Sequence, residues 1–80
     1  MDNQIDSAMS KQVAGNHYKD MDIQPVEFIT RNNIGFLEGC VIKRICRWRR
    51  KDGLQDLQKA IHELELLIEL ENQRLGRSLA

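Results

Sequence analysis

The sequence is short of the residues that usually anchor a large hydrophobic core or a redox centre. Its 80 residues include two phenylalanines, one tyrosine, one tryptophan, one proline and two cysteines, and twelve basic residues balance twelve acidic ones. The absence of net charge excludes a generally polybasic coat for nucleic acids. A chain of this length forms at most one small domain, near the lower limit at which a single core is stable. We therefore expect self-association to complete the core.

Several motifs that would define a chemistry are missing as well. Cys40 and Cys46 are too far apart for a disulfide within one helix, and no CxxC pair or Cys/His cluster indicates zinc. We therefore expect two reduced thiols and no metal. The sequence has no GxxxxGKS or GxxxxGKT loop, no GxGxxG turn and no HExxH motif, which excludes a P-loop and leaves no cofactor evident. The lack of a signal peptide and of a bilayer-length apolar run indicates a cytoplasmic protein without a membrane partner.

Polarity divides the chain into three parts. Residues 1–15 are polar and lead into a Gly-Asn turn signal, which predicts a flexible N-terminal segment. Residues 16–75 form the predicted domain, and residues 76–80 a C-terminal tail. Within the domain, Pro25 in "DIQPVEFI" suits the first turn of a helix, because its missing N–H has no intrahelical partner there. That helix is expected to stop at "RNNIG", a segment rich in turn formers.

Two longer helices are predicted to follow, and together they define an all-α fold in which a short N-terminal helix precedes an antiparallel helical hairpin. The first runs from about Gly35 to Arg50, and its apolar stripe is expected to face a core: Ile34, Leu37, Val41, Ile45 and Trp48. The second begins near Leu54, after "KDG", and its apolar residues repeat as in a coiled coil: Leu54, Leu57, Ile61, Leu64 and Ile68. Ala60, Leu67 and Leu70 widen this seam. We expect helix 54–75 to pack on the preceding helix and also to hold a homo-oligomer together.

Positive charge is concentrated in one short stretch, "CVIKRICRWRRKDG", where six basic side chains lie between Lys43 and Lys51. Helical spacing places Lys43, Arg47 and Arg50 in one row opposite the apolar stripe. Guanidinium groups suit phosphate oxygens, so this row is a candidate phosphate site. The alternative interpretation is a solvated helix end, since cations are favourable near a helix C-terminus.

Three polar residues before the first helix are further candidates. His17 and Tyr18 lie in "GNHYKDM", where they can hydrogen-bond a base or a phosphate, or simply close over the core. If the N-terminal segment folds back across the second predicted helix, both residues and Gln24 lie over the basic row.

Two acids are candidates for an ion-pair partner or a proton-transferring group. Glu38 projects near the edge of the packed face of the second predicted helix. Asp56, in the first turn of the third, is favourable for the helix dipole and can also pair with Arg47 or Lys43. Neither acid has the paired arrangement typical of acid–base catalysis.

Two separated blocks, "HYKDMDIQPVEFI" and "IGFLEGCVIKRICRWRRKDGLQDLQKAIHELELLIE", resemble a family of small bacteriophage proteins. The family is catalogued as a domain of unknown function (DUF3310), and some members are described as nucleotide kinases. Its pattern is approximately HY, IQPxxFI, FxxGNVIKYxxR and KxGxxDLxKA, and these blocks occur here in order. Cys40 and Arg44 depart from it, because they stand where the family usually has asparagine and tyrosine.

The resemblance implies a nucleotide ligand in the cytoplasm of an infected bacterial host. The ligand-binding candidates are His17, Tyr18, Gln24, Lys43, Arg47 and Arg50. The leading hypothesis is a phage-type nucleotide-binding protein that acts on the nucleotide pool or sequesters a nucleotide signal of host defence, such as a cyclic oligonucleotide. One alternative is a nucleoside monophosphate kinase with sites between subunits, which would require ATP and Mg²⁺. Another is an inhibitor that binds nucleic acid or protein through its basic helix.

Overall fold

Three α-helices follow one another along the part of the chain that the computed structural model describes, which is Ala8, Tyr18 and residues 20–76. They are α1 (Pro25–Arg31), α2 (Phe36–Arg47) and α3 (Leu54–Arg74), with a 3₁₀ helix, Trp48–Arg50, directly after α2. No strand occurs among the described residues, and the predicted all-α fold with an antiparallel hairpin is confirmed. The predicted flexible segment 1–15, apart from Ala8, lies outside the described residues, as do His17 and residues 77–80.

Helix α1 begins and ends where the sequence predicts. Gln24 is extended, and Pro25 occupies the first helical turn, where its missing N–H leaves no hydrogen bond unmade. At the other end the Asn32 side chain donates from Nδ2 to the Phe28 carbonyl oxygen at 2.8 Å. Asn33 follows with φ 56°, a left-handed conformation that asparagine tolerates better than most residues. The chain therefore turns sharply into α2.

Helix α2 is shorter than predicted. Its α-helical part ends at Arg47, and the next three residues wind as a 3₁₀ helix with about three residues per turn. Arg50, which the sequence analysis places in the same helix as Lys43 and Arg47, therefore lies in the 3₁₀ helix and not in α2. Near the start of α2, Gly39 is buried, and a Cβ atom there would lie 3.1 Å from Cγ2 of Ile29. The missing side chain allows α1 to pack closely across α2.

The connection between α2 and α3 depends on Gly53. Its backbone has φ 61° and ψ −137°, a region that residues with a side chain avoid. The Gly53 N–H donates to the Trp48 carbonyl oxygen at 2.8 Å, and the Gly53 carbonyl oxygen accepts from the Asp56 N–H at 3.0 Å. One glycine therefore closes the end of the 3₁₀ helix and starts α3, whose first turn delivers Asp56 towards α2.

Little apolar surface is buried where α3 packs on α2. Apart from Pro25, Ala60 is the only apolar side chain that is fully buried among the described residues. On the same face of α3 lie the buried Asp56 and the half-buried Glu63 and Leu67. The coiled-coil seam lies about a quarter turn around α3 from this face and is largely exposed. Among the described helices, none combines the length and the apolar character needed to span a bilayer.

Candidate functional site

The basic segment 43–51 is divided between the interior and the surface. The Arg44 and Arg47 side chains are only 18% and 16% exposed and point towards α3. Arg44 forms a bidentate salt bridge with Glu63, in which Nε donates to Oε1 at 2.9 Å and Nη2 donates to Oε2 at 3.1 Å. Its third donor, Nη1, reaches Oδ1 of Asp56 at 2.9 Å. Much of the positive charge that stands out in the sequence is therefore neutralised inside the hairpin.

Asp56 is the centre of this ion-pair cluster, which consists of Arg44, Arg47, Asp56 and Glu63. Its side chain is completely buried. Oδ1 accepts from Arg44 and from Arg47 Nη2 at 3.0 Å, while Oδ2 accepts from Arg47 Nε at 3.2 Å and from the Asp52 N–H at 3.4 Å. A carboxylate has about four acceptor positions. All of them are occupied, which makes Asp56 a structural anion.

The electrostatics of the cluster favour full ionisation. Burial alone would raise the pKa of Asp56, but the hydrogen bonds from Arg47 and Arg44 outweigh it, and the pKa lies below its ordinary value. The hydrogen bonds with Glu63 raise the pKa of Arg44, and those with Asp56 raise the pKa of Arg47. Asp56 therefore stays charged to a lower pH than an isolated aspartate, and Arg44 and Arg47 stay charged with it.

Tyr18 extends the cluster towards the N-terminal segment. Burial raises the pKa of its hydroxyl, and the neighbouring Arg47 guanidinium, with which it hydrogen-bonds, offsets part of this effect. Arg47 thus links α2 to α3 through Asp56 and to the segment before α1 through Tyr18. This contact places Tyr18 beside α2.

A cavity of about 340 Å³ lies between α1 and α2, beside Tyr18. Three of the sequence-predicted ligand residues, Tyr18, Gln24 and Lys43, line it. The rest of its wall is mainly apolar: Pro25, Val26, Ile29, Ile34, Phe36, Gly39 and Cys40, with Thr30 as a further polar member. The cavity therefore combines an apolar interior with an amide, a phenol and one ammonium group.

Lys43 stands between this cavity and the ion-pair cluster. A smaller cavity of about 50 Å³ adjoins it and is lined by Cys40, Lys43, Arg44 and Arg47, so that Cys40 and Lys43 belong to both. Lys43 is exposed, unlike the two arginines beside it. Of the cations that line these two cavities, it is therefore the one that can meet a ligand without giving up an ion pair with Asp56.

The other predicted site residues lie elsewhere. Arg50 lines a separate cavity with Met21 and Trp48, on another side of α2. Glu38 is exposed in the first turn of α2, close to Gly35 rather than to the cationic groups. His17 lies outside the described residues. Asp56 pairs with Arg47, one of the two partners that the sequence suggests.

Sequence reasoning missed the structural role of Arg44 and Glu63. Arg44 was noted only as a departure from the family pattern, and Glu63 was not among the candidate residues. The signal was nevertheless present, because Asp56 and Glu63 are seven residues apart and therefore lie two turns apart on one face of α3. An arginine on the facing helix can reach both carboxylates at once.

The site shows no arrangement that would hold a metal ion. Within Ala8, Tyr18 and residues 20–76, no group of three His, Cys, Asp or Glu side chains comes together as a set of ligands. The two thiols are separate, with Cys40 half-buried at the cavity and Cys46 exposed. What the site offers is an apolar recess with one accessible cation at its edge.

Fold and site together define a small helical protein with a ligand-sized recess held open beside a buried ion-pair cluster. Residues 12–65 match the model of the family described as "Protein of unknown function (DUF3310)", and the chain belongs to this family. No curated protein and no solved structure matches the chain.

Proposed function

We propose that the chain binds a nucleotide in the cavity between α1 and α2, with the base in the apolar recess and a phosphate at Lys43. The observation that carries this proposal is the convergence of Tyr18, Gln24 and Lys43 on one cavity of about 340 Å³. The volume is within the range of about 300–1,000 Å³ that is typical of small-molecule sites. A mainly apolar wall with a few polar groups is also typical of such sites.

Each polar group suits one part of a nucleotide. The Gln24 amide carries both a donor and an acceptor, the combination needed to recognise the edge of a base. Lys43 supplies an ammonium group for phosphate oxygens, with which charge-assisted hydrogen bonds form. Gly39 lets Ile29 pack closely on α2, and both residues contribute to the apolar wall against which a base can lie.

The role proposed for Arg47 differs from the one expected from sequence. Its Nε and Nη2 donate to Asp56, and a phosphate would have to replace a buried carboxylate that is already fully hydrogen-bonded. Arg47 therefore serves as a positioning residue, which holds Tyr18 at the wall of the cavity. The phosphate contact is assigned to Lys43 alone.

Nucleotide binding is better supported than phosphoryl transfer. Some proteins of the family that this chain resembles are described as nucleotide kinases, and such a reaction requires an acid that holds Mg²⁺ against the phosphates. Asp56 has no acceptor position left for an ion, and Glu38 does not line the cavity. A protein that sequesters a nucleotide needs neither acid.

The test is a thermal-shift screen of the full chain against ribo- and deoxynucleoside monophosphates, triphosphates and cyclic oligonucleotides, followed by titration calorimetry of each ligand that stabilises it. A ligand that binds only the folded state raises the unfolding temperature by mass action. Lys43→Gln should weaken binding by about tenfold or more, because a charge-assisted hydrogen bond contributes about 1.5–3 kcal/mol.

The matched control is Lys59→Gln, since Lys59 is an exposed lysine on α3 that is not among the residues lining the cavity. It should bind with unchanged affinity. The proposal is wrong if folded Lys43→Gln binds as tightly as the wild type, or if no nucleotide stabilises the protein. Incubation with ATP, Mg²⁺ and each monophosphate separates binding from transfer, because a pure binder forms no diphosphate.

A further inference from the structure

The hairpin carries an extended apolar face on which α2 and α3 contribute equally. We define this apolar face by three residues of each helix: Leu37, Val41 and Ile45 of α2, and Ile61, Leu64 and Ile68 of α3. The exposed fractions of Ile45, Ile61 and Ile68 are 53%, 58% and 60%. Large aliphatic side chains normally supply the core of a small domain, and here four of the six are exposed, while Leu37 and Val41 are half-buried.

Helix geometry places both halves of this face on the same side of the hairpin. Consecutive residues of an α-helix are separated by about 100°. In α2, Arg44 and Arg47 point at α3, and the apolar row is rotated around the helix axis away from them. In α3, Asp56 and Ala60 point at α2, and the apolar row is rotated away from them in the same sense. Because the two helices are antiparallel, equal senses of displacement bring both rows to one side. The cavity, lined by Gly39 and Lys43, opens on the other side of α2.

We infer that a second copy of this chain covers the apolar face, so that two hairpins form a four-helix bundle with the cavities outside. The spacing of 3 and 4 residues along the α3 row is that of coiled-coil seams, in which like helices interlock side by side, and the α2 row beside it is spaced 4 and 4. Among the described residues of a single chain, almost no apolar side chain besides Ala60 is buried. This buried apolar area is too small to stabilise a domain of this size. Pairing through the face supplies the missing core.

Other occupants fit the face less well. In sequence, residues 1–17 and 77–80 are mainly polar or small, which matches a row of leucine and isoleucine side chains poorly. A membrane surface would favour lysine and arginine on the polar side of the helix, whereas the exposed polar side of α3 carries Glu65, Glu69 and Glu71. Self-complementary spacing favours a like helix over an unlike partner.

Two leucines on α3 allow a matched test. Leu64 lies on the apolar face and is 44% exposed, whereas Leu66 lies on another side of the same helix and is 37% exposed. The experiment compares wild type, Leu64→Glu and Leu66→Glu by sedimentation equilibrium and by size-exclusion chromatography with light scattering. The wild type and Leu66→Glu should be dimers at micromolar concentration. Leu64→Glu should raise the dimer dissociation constant by at least about 100-fold, because a charge replaces a buried leucine in both copies.

Two further measurements keep the test decisive where Leu64→Glu is poorly folded. The unfolding temperature of the wild type should rise with protein concentration, as mass action requires of a dimer. Trp48, the only tryptophan, lies at the end of the α2 stripe, and its fluorescence should shift to longer wavelength on dilution. Nucleotide affinity of Leu66→Glu should equal that of the wild type, since Leu66 is not among the residues that line the cavity.

The inference is overturned if the wild type is monomeric at about 100 μM, or if both glutamate variants shift the dissociation constant equally. A monomer that floats with lipid vesicles would assign the face to a membrane, and a monomer that forms a stoichiometric complex with an unrelated protein would assign it to that partner. Either result contradicts a second copy as the occupant. None of these outcomes bears on nucleotide binding, which is tested by Lys43→Gln.

Discussion

Lys43 and Arg44 are neighbours in the chain, yet they belong to two regions of opposite character. Lys43 lies at the edge of an open, mainly apolar cavity beneath α1, whereas Arg44 is held by two carboxylates of α3. The difference comes from the helix that lies over each side of α2. A run of like charges in a sequence therefore does not define one site, because successive residues of a helix face different neighbours.

The ion-pair cluster should be the region that is least tolerant of change. Asp56→Asn keeps the size of the side chain but removes its charge and places an NH₂ group against two guanidinium groups. Breaking a buried pair in this way costs about 3–5 kcal/mol. Urea denaturation followed by far-UV circular dichroism, at one fixed protein concentration, measures the loss.

Asp52→Asn is the matched control for this variant. The Asp52 carboxylate is 4.0 Å from Arg47, and its side chain is 35% exposed, so its removal should cost less than about 1 kcal/mol. Equal losses for both variants would show that the cluster is not the stabilising feature described here.

The turn at Gly53, which positions Asp56, should be the region next most sensitive to substitution. Gly53→Ala forces a side chain into a backbone conformation that is essentially confined to glycine, which costs about 1–3 kcal/mol. Gly35→Ala is the control, because Gly35 has φ −70° and an added Cβ atom would displace only the flexible end of Glu38. If both substitutions lower the urea midpoint by the same amount, strain at Gly53 is not the cause.

Lowering the pH should reduce the free energy of unfolding by weakening the ion-pair cluster rather than the cavity. The reduction should be smaller than that caused by Asp56→Asn or Gly53→Ala. The pKa of Asp56 is lowered in the folded state, so the unfolded chain takes up the proton first as the pH falls. The stability due to this carboxylate is present above its unfolded pKa of about 3.9 and is lost as the pH falls through the lower folded pKa. Carboxyl ¹³C shifts measured by NMR should give Asp56 a midpoint below this value. A midpoint at or above it would contradict the assigned ion pairs.

The cavity should be the more tolerant region. Gly39→Ala adds a methyl group 3.1 Å from Cγ2 of Ile29, and Ile29 itself lines the cavity into which it can shift. Alanine also gains about 1 kcal/mol in helix propensity, which offsets the crowding. We expect the free energy of unfolding to change by less than about 1 kcal/mol, while nucleotide affinity falls because the cavity narrows. A large loss of stability would instead make Gly39 a packing residue alone.

Local signals in the sequence predict the helices well. Pro25, the asparagines after α1 and Gly53 each act on their own backbone, so their effect does not depend on distant neighbours. The separation of Arg50 from Lys43 and Arg47 could not be predicted in the same way, because it depends on where α2 ends: Arg50 lies in the 3₁₀ helix and lines another cavity.

The packed face was harder to predict than the helices for a physical reason. Apolar periodicity shows which side of a helix avoids water, but it does not show whether the same chain or another one covers that side. Here α2 and α3 meet through Arg44, Asp56 and Ala60, and their most apolar rows remain exposed. Pairing of charges across the turn, rather than apolar spacing, was the signal for the intramolecular contact.

The short separation of the residues in the ion-pair cluster also has a kinetic consequence. The hydrogen bonds that join the two helices connect residues 9, 12 and 19 positions apart, so the contact order of the hairpin is low. Proteins dominated by such local contacts fold in microseconds to milliseconds. Each hairpin should therefore form and dissolve rapidly on its own. Pairing with a second copy should then stabilise it, with a half-time that shortens as more protein is present.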